Sequence, residues 1–434
     1  MRIAVVGTGY VGLVTGSCFA DLGNIVTCVD VDKKKIQDLK KGIVPIFEPG
    51  LEEVVRRNKN QRLLFTTDLA KAVQEADFIF IAVSTPPGKG GEADISNVKA
   101  VARGIAKSIN GYKIIINKST VPIGMGDVVT QIIKQNGPED VSFDVVSNPE
   151  FLREGSAVMD LIKPERVVIG ATRRSAAQKV AEIYKPLHCP ILITDLKSAE
   201  MIKYASNAFL ATKISFVNEI SNLCDKVGAD IQQVTKGMSY DSRIGNQFLN
   251  AGLGFGGSCF PKDVSALVDI GKKNGYPFRI LPQVLAINHF QRLAYVAKVR
   301  KVLGPLKGKT LAVWGLSFKP NTDDLREAPS LTILPFLSAA GAKVRAYDPV
   351  TNEKAKEIFK KVKFFSSPYE TARGADAVLV LTEWNEFKQV DFQKLKMLMK
   401  RPVLIDGRNM YEPQEMVEKG FAYTGMGRGE VLNF

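Results

Sequence analysis

Short, uninterrupted apolar runs alternate along this chain with longer segments in which apolar residues recur every three or four positions. Near the amino terminus, a strand-like run over residues 1–6, apolar from Ile3 onwards, precedes a helical pattern over 11–21 and a second strand-like run over 25–29. Such runs are typical of strands buried on both faces, and the segments between them are typical of helices that cover a parallel sheet. The pattern predicts an α/β fold of the doubly wound type.

The same order of elements returns in the second half of the chain. An apolar strand over 310–315 ends in glycine, a helical pattern covers 330–340, and a strand over 343–347 leads into Asp348. We therefore expect two related Rossmann-like domains, each with a doubly wound sheet.

A strongly helical stretch over residues 196–227 separates the two halves. It carries Lys203 and Asn207 four residues apart, hence on one face, among apolar side chains. These polar groups either have partners inside the protein or lie at the edge of the stripe and reach water. A long central helix is also a natural place for subunit contact. We expect a central helical region with this long helix to join the two Rossmann-like domains.

Three glycines follow the first strand with the spacing of a dinucleotide-binding turn: Gly7, Gly9 and Gly12. The second strand ends in Asp30, whose carboxylate is suited to the ribose hydroxyls of NAD and would repel the 2′-phosphate of NADP. Lys35 weakens this preference slightly, because a lysine nearby attracts a phosphate. The turn therefore predicts a dinucleotide site that favours NAD.

The corresponding turn of the second half lacks a glycine triplet. Its glycine is followed by a long insertion over residues 316–326, which offers Lys319 and Arg326 as donors for other phosphate or carboxyl groups. We do not expect a second dinucleotide to bind there in the same way.

Composition narrows the class of protein. The chain has 434 residues, 45% of them hydrophobic and 24% charged, which suggests two or three domains of a cytoplasmic enzyme without a membrane partner. Its five cysteines are scattered and never form a C-x-x-C pair, so neither disulfides nor a zinc site are expected. With His188 and His289 as the only histidines, a histidine-based triad and a metal site are also not expected.

The formal net charge of +14 is spread over helical stretches and forms no basic block with interleaved aromatic residues. We interpret it as a solvated surface that also attracts small ligands carrying phosphate, and we expect no nucleic-acid partner.

Cys259 lies between Pro261 and a segment that contains Gly254, Gly256 and Gly257, and we expect these glycines to let the backbone pass close to a bound ligand. A helical pattern covers residues 263–272, and we expect Pro261 to occupy the first position of this helix. The thiol would then face the positive end of the helix. With Lys262 beside it, this setting should lower the pKa of the thiol and favour the reactive thiolate. Asp263 would share a face with the sulfur if the helical turn extends back that far. The alternative is a small buried hydrophobic side chain in a tight turn.

These features occur together with further motifs over essentially the whole length. In order they are Pro45–Leu51 (PIFEPGL), Ser84-Thr-Pro86, Lys118-Ser-Thr-Val-Pro122, Asn148–Gly155 (NPEFLREG), the Lys203/Asn207 helix, residues 254–263, Phe318-Lys319 and Asp406-Gly-Arg-Asn409. The chain thus resembles the UDP-glucose/GDP-mannose dehydrogenase family of nucleotide-sugar dehydrogenases. Its glycine loop and the phenylalanine after Cys259 are more similar to the branch that acts on UDP-glucose.

The resemblance implies three domains: an NAD-binding Rossmann domain over 1–195, a central helical dimerisation domain with the catalytic cysteine over 196–300, and a Rossmann-like UDP-sugar-binding domain over 301–434. It also implies a four-electron oxidation of UDP-glucose at C6 to UDP-glucuronate, with two NAD and one water. Cys259 would carry the carbon as a thiohemiacetal and then as a thioester.

Other activities remain open. GDP-mannose or UDP-N-acetylmannosamine are alternative substrates. More distant alternatives are a two-electron hydroxyacid dehydrogenase without covalent catalysis and a nucleotide-sugar binder without catalysis.

The resemblance also assigns residues. The catalytic set is Cys259, Lys203, Asn207, Asp263, Thr120, Glu150 and Glu154. The NAD set is Gly7, Gly9, Tyr10, Val11, Gly12, Asp30, Lys35, Val83, Ser84, Thr85, Thr120, Glu154, Lys262 and Arg326. The substrate set is Phe151, Leu152, Arg153, Glu154, Lys203, Asn207, Arg243, Phe248, Leu249, Asn250, Ala251, Gly252, Phe255, Gly256, Cys259, Phe318, Lys319 and Arg408.

Three points stay undecided or rest on the resemblance alone. Lys203, Asp263 and a water held by a glutamate all remain candidates for the group that removes the first alcohol proton. Arg243 matches an arginine that in relatives reaches the neighbouring subunit's substrate, and Arg408 matches a substrate-side arginine; both are also possible surface ion-pair partners. A homodimer or higher homo-oligomer through the central helix is expected.

Overall fold

The computed structural model describes residues 1–88 and 90–429. The described residues divide into two compact units, one within residues 1–206 and 269–275 and the other within residues 207–268 and 276–429. The last five residues of the predicted domain 301–434 lie outside the described residues.

The first unit contains one sheet. Its strands are β1 (Arg2–Val6), β2 (Ile25–Val29), β3 (Leu63–Thr66), β4 (Phe78–Ile81), β5 (Lys113–Asn117), β6 (Phe143–Ser147), β7 (Val167–Ala171) and β8 (Ile191–Thr194). They lie in the order β3-β2-β1-β4-β5-β6-β7-β8, and only the β6–β7 pair is antiparallel. The first six strands follow the doubly wound order, so the carboxyl ends of β1 and β4 meet where the order reverses, which is where such sheets bind ligands.

Helices cover both faces of this sheet. They are α1 (Tyr10–Asp21), α2 (Lys33–Lys41), α3 (Leu51–Asn58), α4 (Leu69–Glu75), α5 (Ser96–Ser108), α6 (Met125–Asn136), α7 (Ala157–Ile162) and α8 (Arg174–Tyr184), followed by a 3₁₀ turn over Lys185–Leu187. Ile3 and Val5 of β1 point into one core, and Ala4 and Val6 point into the other. This alternation explains why the strand is apolar at every position after Arg2.

The central region is helical. It comprises α9 (Leu196–Val227), α10 (Ile231–Ser239), α11 (Phe260–Lys273) and α12 (Ile280–Leu303). The long helix has the predicted bounds. The helix after Cys259 begins at Phe260, earlier than predicted, because Asp263 N–H already donates to the Cys259 carbonyl (2.8 Å). Pro261 is therefore the second residue of α11 and not the first, which corrects the expected position.

The second unit repeats the first sheet. Its strands are β9 (Thr310–Trp314), β10 (Lys343–Tyr347), β11 (Lys363–Phe364), β12 (Ala377–Val380), β13 (Val403–Asp406) and β14 (Ala422–Gly425), in the order β11-β10-β9-β12-β13-β14. The helices are α13 (Pro329–Ala339), α14 (Asn352–Ile358), α15 (Pro368–Ala372), α16 (Asn385–Lys388), α17 (Phe392–Leu398) and α18 (Pro413–Glu418). The order of strands is that of the first six strands of the other sheet. The predicted fold class, two doubly wound domains and a long central helix, is confirmed.

No helix among the described residues combines the length and the apolar character needed to cross a membrane.

Candidate functional site

The glycine turn after β1 has one side closed by protein and one side open. A Cβ on Gly12 would lie 1.9 Å from the Gly7 carbonyl oxygen, and Gly7 itself has a φ of +102°. A Cβ on Gly9, by contrast, would meet nothing within 4 Å, and Gly9 caps α1 without any side-chain hydrogen bond. The backbone N–H groups at the start of α1 are thus left for a ligand, as a dinucleotide pyrophosphate requires.

Asp30 lies beside this turn, directly after β2. It accepts hydrogen bonds from Thr8 N–H and Oγ1 (2.9 and 2.7 Å), from Lys35 Nζ (3.1 Å) and from Asp32 N–H (3.0 Å). Burial alone would raise the pKa of Asp30, but these hydrogen bonds outweigh it and lower the pKa to about 2. The carboxylate is ionised and oriented, and the charge of Lys35 is directed at it, so the site suits the ribose of NAD.

The other residues predicted for the cofactor fall into two groups. Tyr10 and Val11 form the first turn of α1, while Val83, Ser84 and Thr85 follow β4. The Thr85 hydroxyl donates to the Thr120 carbonyl (2.9 Å), which joins the segments after β4 and β5.

Lys262 and Arg326 belong to the second unit. Lys262 Nζ lies 2.5 Å from Asp263 Oδ1, and the Arg326 guanidinium pairs with Asp324 through two nitrogens.

Lys203 and Glu150 form a buried ion pair in the first unit. Lys203 Nζ lies 3.0 Å from Glu150 Oε1, and the two side chains are 4% and 5% exposed. Glu150 Oε2 accepts from Leu152 N–H at 2.6 Å, and Lys203 Nζ lies 5.4 Å from the centre of the Phe151 ring. Lys203 therefore does not reach the bulk solvent. A buried pair of this kind is costly unless its geometry is well satisfied, which is the arrangement expected where a charge has a function.

The segment that follows Glu150 is fixed by partners from distant parts of the sequence. Gly155 N–H donates to the Tyr10 hydroxyl (2.8 Å) and to Glu48 Oε2 (2.6 Å). Arg153 pairs with Asp160 and its side chain is 59% exposed, so within this chain it serves an ion pair. Glu154 is half-buried.

A small cavity lies next to Lys203. It is lined by Asn117, Ser119, Thr120, Val121, Ser147, Pro149, Glu200 and Lys203. It has room for about one water molecule, and among the described residues Asn117 shows no partner for either polar atom of its amide. Thr120 is thus placed at a site where a water can be held.

In the second unit, Asp263 organises the start of α11. It is 1% exposed, and its carboxylate accepts from Asn207 Nδ2 (2.6 Å) as well as from Lys262. Because Asp263 N–H donates to the Cys259 carbonyl, the two residues lie one helical turn apart, as predicted. Asn207 is consequently a partner of Asp263 and does not snorkel to water.

Cys259 is the cysteine that lies directly before α11. It is half-buried, with Sγ 3.7 Å from Ser258 Oγ. Burial raises the pKa of the thiols of Cys18 and Cys28 to about 12, and it also raises the pKa of Cys189 and Cys224. Burial therefore favours the neutral form of those four thiols.

The glycines before Cys259 make room for protein. A Cβ on Gly254 would lie 2.4 Å from Asn288 Oδ1, one on Gly256 would lie 2.3 Å from the Glu327 carbonyl oxygen, and one on Gly257 would lie 2.8 Å from the Phe318 ring. The expectation that they admit a ligand is therefore corrected, since their free side is occupied by the chain itself.

The remaining residues predicted for the substrate all belong to the second unit. Leu249, Ala251, Gly252, Phe255 and Gly256 are buried, Asn250 is exposed, and Phe248 is half-buried with a φ of +62°. Phe255 and Phe248 both pack against Phe260, with ring centres 5.8 and 6.2 Å away.

The predicted basic residues of this unit lie in different settings. Arg408 donates to the carbonyls of Leu381 (2.7 Å) and Phe318 (3.1 Å), which links it to the segment of Phe318 and Lys319. Lys319 Nζ lies 5.6 Å from the Phe318 ring centre. Arg243 is 88% exposed and pairs with Asp241.

Several polar residues of the site region were not predicted from the sequence. Lys118 is buried and donates to Asn148 Oδ1 (3.1 Å) and to the Tyr184 hydroxyl (3.2 Å); burial lowers its pKa to about 8. Asn288, Gln291 and Arg292 are buried on α12. The available signal was a run of polar residues at i, i+3 and i+4 inside an apolar helix, which requires partners in the interior.

Comparisons with known proteins cover nearly the whole chain. Three models of the UDP-glucose/GDP-mannose dehydrogenase family match it: the NAD binding domain over residues 1–188, the central domain over 197–290 and the UDP binding domain over 312–413. The UDP-glucose 6-dehydrogenase TuaD of Bacillus subtilis is 52% identical over 432 residues, which is 99% of this chain and 94% of that protein.

Solved structures agree with the sequence comparison. A UDP-glucose dehydrogenase from Pyrobaculum islandicum superposes with a TM-score of 0.91 at 37% identity, covering 98% of this chain and 97% of the other. A UDP-D-ManNAc dehydrogenase from Pyrococcus horikoshii superposes with a TM-score of 0.86 at 26% identity, covering 99% of both chains.

Proposed function

Since the chain belongs to the UDP-glucose/GDP-mannose dehydrogenase family, we propose that it oxidises UDP-glucose at C6 to UDP-glucuronate through a covalent intermediate on Cys259. That it is an NAD-dependent oxidoreductase, as predicted, is confirmed by this membership. The observation that carries the covalent mechanism is the position of Cys259, half-buried one helical turn before the buried carboxylate of Asp263.

NAD supplies the hydride acceptor for each of the two oxidations. The open side of Gly9, the N–H groups at the start of α1 and the carboxylate of Asp30 would hold it. Lys35 and Thr8 keep that carboxylate ionised and in place.

Cys259 would retain the carbon between the two oxidations. After the alcohol has lost two electrons, the thiolate adds to the aldehyde carbon, so that a C–S bond forms and the carbonyl oxygen takes up a proton. When this carbon gives up its hydrogen as a second hydride and the hydroxyl group loses its proton, a thioester would remain. Water then adds to the thioester carbon, the C–S bond breaks and the thiolate is restored with the carboxylate product.

Charge on the reacting oxygen needs donors at C6. We assign this role to the Lys203 ammonium and the Asn207 amide, which are four residues apart on α9. Glu150 holds the ammonium at 3.0 Å, and Asp263 holds the amide at 2.6 Å. Thr120 and Glu154 are proposed to position water, and Lys203, Asp263 and a water held by a glutamate are the proposed candidates for the first base.

The substrate is proposed from the relatives, because TuaD and the Pyrobaculum islandicum enzyme are named for UDP-glucose. Phe318, Lys319, Arg408 and the segment over residues 248–256 are proposed to bind the nucleotide sugar. Arg243 is proposed to act on the substrate of a neighbouring subunit, since it is 88% exposed in its own chain.

A count of NADH tests the reaction. UDP-glucose, GDP-mannose and UDP-N-acetylmannosamine are supplied separately, and NADH is measured per molecule of sugar consumed. We expect two NADH per UDP-glucose. One NADH would indicate a two-electron dehydrogenase, and turnover of another sugar alone would reassign the substrate.

A cysteine substitution tests the covalent step. Cys259→Ala should lower kcat for the complete oxidation by roughly a thousandfold or more, because the aldehyde is no longer held. Cys189→Ala is the matched control, since Cys189 is also half-buried and its thiol pKa is raised. Undiminished formation of UDP-glucuronate by Cys259→Ala would refute the mechanism.

The chain is further proposed to form a homodimer through α9. Phe209, Phe216 and Leu223 recur every seven residues on this helix and are 65%, 49% and 56% exposed. Large apolar side chains on one exposed helical face are typical of a surface that another subunit covers.

A further inference from the structure

We infer that three buried polar residues of α12, Asn288, Gln291 and Arg292, are positioning residues that hold the segment over residues 252–257 and thereby set the place of Cys259. The inference rests on the proposed role of Cys259. All the residues concerned lie in the second unit. They occupy positions i, i+3 and i+4 of the helix and so form one stripe, hereafter the α12 polar stripe.

Asn288 binds one residue of the segment through both of its polar atoms. Its Oδ1 accepts from Phe255 N–H (2.7 Å), and its Nδ2 donates to the Phe255 carbonyl (3.0 Å). The side-chain amide thus makes the two backbone hydrogen bonds that a neighbouring strand would make with Phe255. Gly254 is required beside it, because a Cβ there would lie 2.4 Å from Asn288 Oδ1.

Gln291 fixes the segment three residues earlier. Its Nε2 donates to the Gly252 carbonyl (2.8 Å), while its Oε1 accepts from Asn222 Nδ2 (2.8 Å). Gly252 N–H donates to Asn218 Oδ1 (2.8 Å). Both polar groups of Gly252 are therefore bound by side chains of two helices, α9 and α12.

Arg292 joins the segment to Glu327, which directly follows the insertion over 316–326, and to α13. Its guanidinium donates to the carbonyls of Phe255 (3.1 Å) and Glu327 (2.9 Å) and to Thr332 Oγ1 (3.2 Å). The neighbouring Arg326 carbonyl accepts from Gly257 N–H (2.8 Å). The planar guanidinium thus links the backbone at Phe255 to the backbone at Glu327. A lysine ammonium lacks the planar arrangement of donors that this requires.

Burying three polar side chains gains little stability for the fold. This indicates that their role is to fix the position of the segment over residues 252–257. The three side chains are 5%, 0% and 6% exposed. Buried polar side chains with hydrogen-bond partners stabilise a fold little more than buried apolar side chains of the same shape do. The residues they hold form neither helix nor strand, so their backbone depends on side-chain partners. Cys259 follows four residues after Phe255, and a small displacement of a nucleophile is enough to lower the rate strongly.

The test compares Arg292→Lys with Arg300→Lys, a substitution of the same kind at an exposed position of the same helix. For Arg292→Lys we expect kcat to fall at least about tenfold, while KM for UDP-glucose and NAD stays within about threefold. The rate at which iodoacetamide alkylates Cys259, followed peptide by peptide between pH 6 and 9, should change its pH profile. Alkylation of Cys189 should not change. Arg300→Lys should match the unmodified protein in every measurement.

A variant that does not fold would change kcat, KM and the alkylation of both cysteines together. Thermal unfolding is therefore recorded for each variant. If Arg292→Lys does not fold, Gln291→Met, which keeps the shape and removes the Gly252 bond, is measured in the same way. Unchanged kcat and unchanged Cys259 alkylation in the folded variant overturn the inference. Full activity of Cys259→Ala would instead refute the proposed mechanism, and the alkylation profile would still report whether the α12 polar stripe positions the sulfur.

Discussion

Asp30 and Asp348 occupy the same place in the two sheets, yet their surroundings give them different roles. Asp30 keeps part of its carboxylate accessible at the edge of the glycine turn. Asp348 is 1% exposed and accepts from Leu316 N–H (2.7 Å), Ser317 N–H (3.2 Å), Ser317 Oγ (3.2 Å) and Trp384 Nε1 (3.1 Å). A carboxylate so fully engaged by the protein is not available to a ribose, which is the physical reason to expect no dinucleotide to bind there in the same way.

The hydrogen bonds of Asp30 make stability depend on pH in a defined window. Its pKa of about 2 lies below the usual value for an unfolded chain, so its contribution is present above pH 4 and is lost as the pH falls towards 2. Asp30→Asn should lower the free energy of unfolding at pH 7 by about 1–2 kcal/mol, allowing for solvent screening. Urea unfolding should show that the gap in free energy of unfolding between Asp30→Asn and the unmodified protein is smaller at pH 3 than at pH 7.

Asp140→Asn, at an exposed loop position, is the control and should leave stability unchanged at both pH values. A gap for Asp30→Asn that is equal at the two pH values would contradict the assignment.

Gly9 and Gly12 should respond differently to the same substitution. Gly12→Ala should destabilise the protein by roughly 1–3 kcal/mol, because its Cβ would lie 1.9 Å from a backbone oxygen. Gly9→Ala should change stability by less than about 0.5 kcal/mol, yet raise KM for NAD at least about tenfold by placing a methyl group over the start of α1. Thermal unfolding and NAD saturation curves separate the two effects. Unimpaired NAD binding by Gly9→Ala would show that this side of the turn does not face the cofactor.

At the scale of elements, Asp348 connects β10 to the loop after β9 and to the segment after β12. Asp348→Asn places an N–H group against several N–H and O–H donors, so it should lower the free energy of unfolding by about 2–3 kcal/mol. Its KM for NAD should equal that of the unmodified protein, in contrast to Asp30→Asn. Chemical unfolding and steady-state kinetics of both variants make the comparison. A raised KM for NAD in Asp348→Asn would mean that the second sheet takes part in cofactor binding.

The elements themselves were largely predictable because the strands are apolar on both faces and the helices begin and end at recognisable residues. The bounds of β2 and α9 were predicted to the residue. The start of α11 was not, because Phe260 and Pro261 lie in a turn whose helical bond to Cys259 is not visible in the pattern of apolar residues.

The site was predictable where a motif determines local geometry, as at Gly7–Asp30, and much less so where partners are distant in sequence. The Lys203–Glu150 pair spans 53 residues, and the bonds of Arg292 to Glu327 and Thr332 span 35 and 40. The role of glycines 254, 256 and 257 was misinterpreted for the same reason: whether a missing Cβ admits a ligand or a neighbouring segment depends on tertiary packing.

At the scale of the whole molecule, many basic side chains pair with carboxylates, and these pairs leave the net charge of +14 unchanged. Lys35–Asp30, Lys262–Asp263 and Arg326–Asp324 are examples in which a cation predicted for the cofactor is bound to a carboxylate. Such pairs keep the cation in place while lowering its attraction for stray anions. The excess charge therefore favours phosphate-bearing ligands without requiring a nucleic-acid partner.

The exposed apolar face of α9 leads to a prediction about assembly. Phe216→Ser removes the central one of the three large apolar side chains on this face and should weaken the proposed dimer. Burial of such a side chain contributes about 1.5–3 kcal/mol. The contribution doubles when two copies of the side chain are buried across a twofold axis. Light scattering over a dilution series should show the variant dissociating to single chains at a concentration at least about a hundredfold higher than the unmodified protein does. Met397→Ser, at an 80% exposed position on α17, is the control and should not alter the mass. Equal masses for Phe216→Ser and the unmodified protein at every dilution would place the subunit contact elsewhere, whereas a single-chain mass for the unmodified protein would rule out the dimer.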